Sequence, residues 1–136
     1  MLLRHRIMSS IVTCTERGWG GHFICADRCL FRRNTLLHNA ETGAKIVVST
    51  VGLMRGPNGE IEAIGWERYY ETMAFAGEQK GKYIDANVSR EVDFDSPWSI
   101  GEIDADDQAN DMHEAVVQEL RNKMLLGYMP PNGPEA

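Results

Sequence analysis

The sequence predicts an α+β fold, an antiparallel β-meander or small partly open barrel with one C-terminal amphipathic helix packed on it. Three observations point there. Between Gly20 and Ile100, short runs rich in β-branched and aromatic residues are punctuated by Gly-, Pro- and Asn-containing turns. After Ser96-Pro97 the pattern changes once, to apolar residues at helical spacing. A chain of 136 residues is long enough to bury one core without disulfide or metal staples.

Residues 1–14 read as an N-terminal extension, 15–126 as a single domain and 127–136, ending PPNGPEA, as a disordered tail. Within the domain, His22–Ala26 and Cys29–Arg33 are short apolar-rich runs. Lys45–Val51, KIVVSTV, is the clearest strand, β-branched nearly throughout. GPNG at 56–59 is a turn. The run Ile61–Phe75 is long enough to pair antiparallel with its predecessor and continue past it, with Gly65 marking a bulge or a close backbone approach. GEQKGK at 77–82 is a second turn, and Val88–Phe94 alternates apolar and polar as a strand with one dry face. Ser96-Pro97 ends the strand region. In the helix, Ala109, Met112, Val116, Leu120 and Met124 form a buried stripe that Val117 widens. Asp104, Asp106 and Asp107 suit its cap and first turn, Arg121 and Lys123 its last turn, and Gly127 its end.

Apolar residues make up 43% and charged residues 25%, ordinary values for a globular chain. A formal charge of −6 argues against a general nucleic-acid coat, which needs a basic footprint. No segment approaches the roughly 18 consecutive apolar residues of a membrane span. The opening MLLRHRIMSS lacks the apolar stretch of a secretory signal. With three cysteines, an odd number, this predicts a cytoplasmic protein with reduced thiols. Charge is lopsided: six Lys or Arg stand between Arg17 and Arg55 against Asp27 and Glu41. From Asp85 to Asp111 acidic residues face only Arg90. Such asymmetry can steer a charged partner, and also occurs without one.

Residues 18–37, GWGGHFICADRCLFRRNTLL, concentrate the reactive side chains. His22, Cys25 and Cys29 are a possible zinc set or the core of a cysteine-dependent hydrolase. On one straight strand the two sulfurs would lie about 13 Å apart. A hairpin through Ala26-Asp27-Arg28 would bring them to about 5 Å. Free cysteines are usually core residues, and that reading is favoured, with no cofactor and no catalytic residue assigned. Glu67 and Glu71 would share a strand face with Tyr69 as a conceivable acid/base pair, against the commoner reading of a solvated face. His113, next to the helix stripe, is expected to be half covered by the sheet. The acidic run DADDQAND lacks the glycine and glutamate of an EF-hand loop, so capping explains it better. Arg32 and Arg33 must point apart on a strand; with Arg17, Trp19 and Trp66 they could form a positive, aromatic-rimmed surface. Trp19, His22, Arg32, Arg33, Trp66 and Tyr70 are the candidate partner- or ligand-binding residues.

This stretch, with IVVSTVG, RYYETMAF, FDSPWSI and NDMHEAVV, resembles a family of small proteins from tailed phages and prophages of Gram-negative bacteria, over roughly residues 15 to 125. The resemblance brings no activity, cofactor or site residue with it. It implies expression in an infected bacterial cytoplasm, where small accessory proteins modify or block host systems. The expectation is therefore a non-enzymatic phage accessory protein that binds a host protein or a small nucleotide, as an anti-defence inhibitor. The alternatives are a small zinc- or cysteine-dependent hydrolase and a homo-oligomeric structural phage protein, the latter because an open sheet leaves edges to be paired.

Overall fold

The computed structural model describes residues 11–22 and 27–132. Seven strands form one antiparallel, unclosed sheet: β1 (Val12–Arg17), β2 (Cys29–Asn39), β3 (Lys45–Arg55), β4 (Ile61–Glu62), β5 (Tyr70–Lys80), β6 (Tyr83–Val92) and β7 (Ser99–Ile100). Their order is β1-β2-β3-β5-β6, with β4 folded onto β3 and β7 onto β5. The helix α1 (Asp106–Leu125) packs on one face, so the α+β expectation holds.

Four details differ from the sequence reading. β1 begins at Val12, inside the expected extension; as an edge strand with only Val12 buried, it shows no alternation to read. The expected long strand over 61–75 divides. β4 ends at Glu62, the chain turns through Gly65–Arg68 with Glu67 at φ +52°, and β5 starts at Tyr70. β5 then runs through most of the predicted 77–82 turn to Lys80, and the chain reverses at Gly81, at φ +61°. The end of the domain is anchored: Tyr128 packs on the core and the Pro131 carbonyl accepts from Arg90 Nε at 2.8 Å.

Period-two alternation puts Phe31, Leu37, Ile46, Val48, Tyr70, Ala74 and Val92 on the helix face. There they form two apolar clusters. Leu37, Ile46, Val48, Ala74 and Val92 pack with Val116, Val117, Leu120 and Met124. Phe31, Leu53 and Tyr70 pack with Ala105, Ala109 and Met112. The predicted helix stripe is thus the buried one.

A polar belt separates the clusters. His113, expected to be half covered, is fully buried, with Nδ1 2.7 Å from Thr50 Oγ1 and Nε2 2.7 Å from Thr35 Oγ1. Thr50 Oγ1 lies 2.6 Å from Thr72 Oγ1, and Thr35 donates to Glu16 Oε2 at 2.9 Å. Because the Thr35 proton goes to Glu16, His113 must donate through Nε2 and accept at Nδ1 from Thr50. A buried imidazole satisfied at its two nitrogens by two neighbouring strands allows α1 only one register on the sheet.

The start of α1 uses an unexpected group. Ala105 is the N-cap and offers no side chain for it; instead the Tyr70 hydroxyl accepts the Ala105 N–H at 2.9 Å and donates to Asp106 Oδ1 at 2.7 Å. Burial and the Asp106 carboxylate push the Tyr70 phenol up to about 12. The Tyr70 ring lies across Gly52, its register partner, where a Cβ would collide with it.

Candidate functional site

The opposite face of the sheet carries the reactive side chains. Asn34, Ser49, Glu71 and Phe75 lie on it, all buried, and Gly20–His22 fold over them. Gly21, at φ +111°, makes this possible: a Cβ there would strike Asn34 and Ser49. His22 is thereby set down beside Ser49. Its backbone N–H donates to Ser49 Oγ at 3.0 Å, and Nδ1 lies 2.8 Å from the same oxygen. Its Nε2 lies 3.3 Å from Glu71 Oε1, and its ring meets Phe75 edge-on at 6.0 Å. The other Glu71 oxygen is 3.4 Å from Arg68 Nε, and the Arg68 guanidinium lies over the Trp98 ring, 5.1 Å from its centroid. The His22 hydrogen bond holds the Glu71 carboxyl below the usual carboxylate range against its burial, with Arg68 helping. A continuous line thus leads from buried Ser49 through His22, Glu71 and Arg68 to Trp98, which is 46% exposed.

Serine, histidine and carboxylate in this order resemble a nucleophilic triad, but the serine is out of reach. Ser49 has no exposed surface, lies under Gly21 and already accepts the His22 N–H. A nucleophile must meet its substrate, and this one cannot.

The outer end of the line opens into a cleft of about 410 Å³ lined by Arg68, Glu71, Met73, Glu91, Asp93 and Trp98, among others. It exists because β5 changes partners. β6 pairs with β5 as far as Ala74↔Val92, the chain departs through 93–97, and β7 returns to pair Tyr70↔Ile100 and Glu71↔Ser99. Glu119 of α1 fixes the departing loop, accepting the Asp95 and Ser96 N–H groups at 2.7 and 2.9 Å and the Ser96 hydroxyl at 2.6 Å. Among the described residues, the side chains of Glu91 and Asp93 make no hydrogen bond or ion pair.

The predicted site residues do not form one surface. His22 is in the buried line and Tyr70 is fully buried beneath α1. Arg32 is exposed, whereas Arg33 turns to the helix side. Arg33 grips Glu16 through two bonds of 3.0 and 2.9 Å and also Glu114 at 2.7 Å. Trp66 is 83% exposed on the Gly65–Arg68 turn. Trp19 belongs to a separate group: Arg17 lies over its ring at 4.0 Å, Tyr83 meets it edge-on at 5.9 Å, and Lys82 lies 5.6 Å from the Tyr83 ring. Arg17 also donates to the Ile84 carbonyl, so side chains bridge β1 and β6, the two ends of the strand order. Glu67 and Glu71 do not share a strand face, because Glu67 sits in the turn before β5.

The cysteines depart from the reduced expectation. Cys29 is disulfide-bonded, Cys14 is a free thiol exposed on β1, and Cys25 lies outside the described residues. A disulfide sulfur and a histidine engaged at both ring nitrogens do not suit the zinc set proposed from His22, Cys25 and Cys29. Among the described residues no group of three or more His, Cys, Asp or Glu side chains is placed to hold a metal, and no helix is long and apolar enough to cross a membrane.

Sequence reasoning missed Ser49, Arg68, Glu91, Asp93 and Trp98. Ser49 had a signal, a small polar residue inside the most apolar strand. The other four come from separate elements, and only the β5 partner change brings them together. Compared with protein-family models, with curated proteins and with solved structures, the chain matches none.

Proposed function

We propose that this is a non-catalytic binding protein, a phage accessory factor that acts in an infected bacterial cell by holding a host protein at the Arg68–Trp98 cleft and blocking it. The phage setting rests on the sequence resemblance. The observation that carries the binding reading is the division within the site: Ser49 and His22 are covered and tie Glu71 into the cleft wall, while the Trp98 ring and the Glu91 and Asp93 carboxylates face the opening. Reactive groups spent on one another build a rigid wall, and an Arg-backed tryptophan beside it is typical of an interface hot spot.

A second reading has its own observation. Arg17, Trp19, Lys82 and Tyr83 form a cationic, aromatic group suited to stacking a base and pairing a phosphate. It would make the protein a nucleotide sequestrant, and a nucleotide would sit poorly in the cleft, where carboxylates would face its phosphates.

Immobilised protein exposed to lysate of a bacterial host separates these readings when wild type is compared with Trp98→Ala, Trp66→Ala and Trp19→Ala. The expected result is a protein target lost with Trp98→Ala and kept by the other two. Retention by a folded Trp98→Ala variant contradicts the cleft, and loss of a bound nucleotide in Trp19→Ala alone favours the second reading.

A further inference from the structure

We infer that the cleft receives one arginine side chain of the protein target, an assignment that rests on the binding reading above. Charge is the first argument. The lining residues include Glu71, Glu91 and Asp93 against the single cation Arg68. Arg68 is already committed to Glu71 and Trp98, so Glu91 and Asp93 face the opening as neighbouring like charges with nothing to neutralise them. Exposed and two residues apart, they give the cleft a negative mouth that attracts a cation.

The second argument is that the cleft holds a guanidinium of its own. The Arg68 guanidinium lies over the Trp98 ring, 5.1 Å from its centroid, with the Glu71 carboxylate 3.4 Å from its Nε, so one cation already uses both the aromatic face and a carboxylate of this cleft. A second guanidinium entering opposite would find two carboxylates for a bidentate fork and the exposed part of Trp98 for its flat face. A lysine ammonium, a compact and strongly hydrated charge, would gain the Coulomb attraction without the fork or the stacking. Size agrees: about 410 Å³, open to solvent, suits one long side chain and its waters rather than a helix or a folded edge.

The test titrates isotope-labelled protein with blocked tripeptides Gly-Xaa-Gly carrying arginine, lysine or norleucine, and with adenosine monophosphate. Each is taken to about 20 mM, enough to detect millimolar binding. The readout is the Trp98 indole N–H resonance, assigned with Trp98→Phe. The arginine peptide should shift it saturably and more tightly than the lysine peptide, with no effect of norleucine. Glu91→Gln with Asp93→Asn, both exposed and isosteric, should weaken that binding about fivefold or more and weaken target capture in step. Equal responses to arginine and norleucine, a response to the nucleotide alone, or no response overturn the assignment. If the double variant keeps the target that Trp98→Ala loses, arginine recognition fails while the binding site itself stands.

Discussion

His113 shows at the scale of one residue how a buried polar group becomes a pH-dependent part of the fold. The proton directions run one way, from Thr72 to Thr50 to Nδ1, then from Nε2 to Thr35 to Glu16. A proton on Nδ1 would oppose the one Thr50 offers it. Burial, with the Arg33 charge adding to it, pushes the imidazole down to about 4. In the unfolded chain it titrates near 6.5. Between those values the unfolded state binds the extra proton, so this contribution to stability is complete above pH 6.5 and is lost as pH falls toward 4, by up to about 3 kcal/mol. Glu16 and Glu71, with carboxyls held low, add acid sensitivity in a lower window, below the ordinary carboxyl pKa. Urea midpoints at pH 7.5 and 5 should differ clearly in wild type and much less in His113→Leu; an equal slope in the variant would show that other groups carry it. The sequence placed His113 beside the helix stripe but not in the belt, because the belt joins residues from four strands and a helix, and only strand register aligns them. Tyr70 was misplaced on a surface for a similar reason. A tyrosine at the start of a strand reads the same whether its hydroxyl meets solvent or receives a helix N-terminus.

At the scale of elements, the legible parts were those with a strong local period. β3 announces itself through β-branched residues buried on both faces, and α1 through its stripe. β1 and β7 were not legible, since an edge strand with one buried residue and a two-residue strand have no period to detect. The ends of β5 were hidden by Gly77 and the polar residues that follow, which the strand accommodates. β1 is fastened from outside by Arg33, which ties Glu16 of β1 to Glu114 of α1. Burial disfavours the Glu16 charge, but the bonds from Arg33 and Thr35 outweigh it and hold the carboxyl below its usual range; the bonds to Glu16 and Glu114 in turn raise the Arg33 pKa. Arg33→Glu would set three carboxylates against one another and should lower stability by about 2 kcal/mol, seen as an earlier thermal transition. An unchanged transition would mean that β1 needs no such fastening. Reversing Arg32 and Arg33 together therefore reads out folding as well as any binding.

For the whole molecule, the sheet divides its labour by face. The helix face is filled by two apolar clusters and a satisfied belt, and offers a partner little. The other face ends in the cleft, where a polar wall and an aromatic ring are held by strand pairing on one side and by Glu119 on the other. The sequence disclosed the α+β plan and the charge asymmetry, but the six residues it offered for binding, Trp19, His22, Arg32, Arg33, Trp66 and Tyr70, are dispersed by the fold. The most direct test is amide hydrogen exchange of the purified protein with and without the protein captured from bacterial lysate. Protection confined to residues 68–73 and 91–99 is the predicted result. Protection of β1, or of the Arg17–Trp19–Tyr83 group, with residues 68–73 and 91–99 unchanged would contradict the cleft as the seat of recognition.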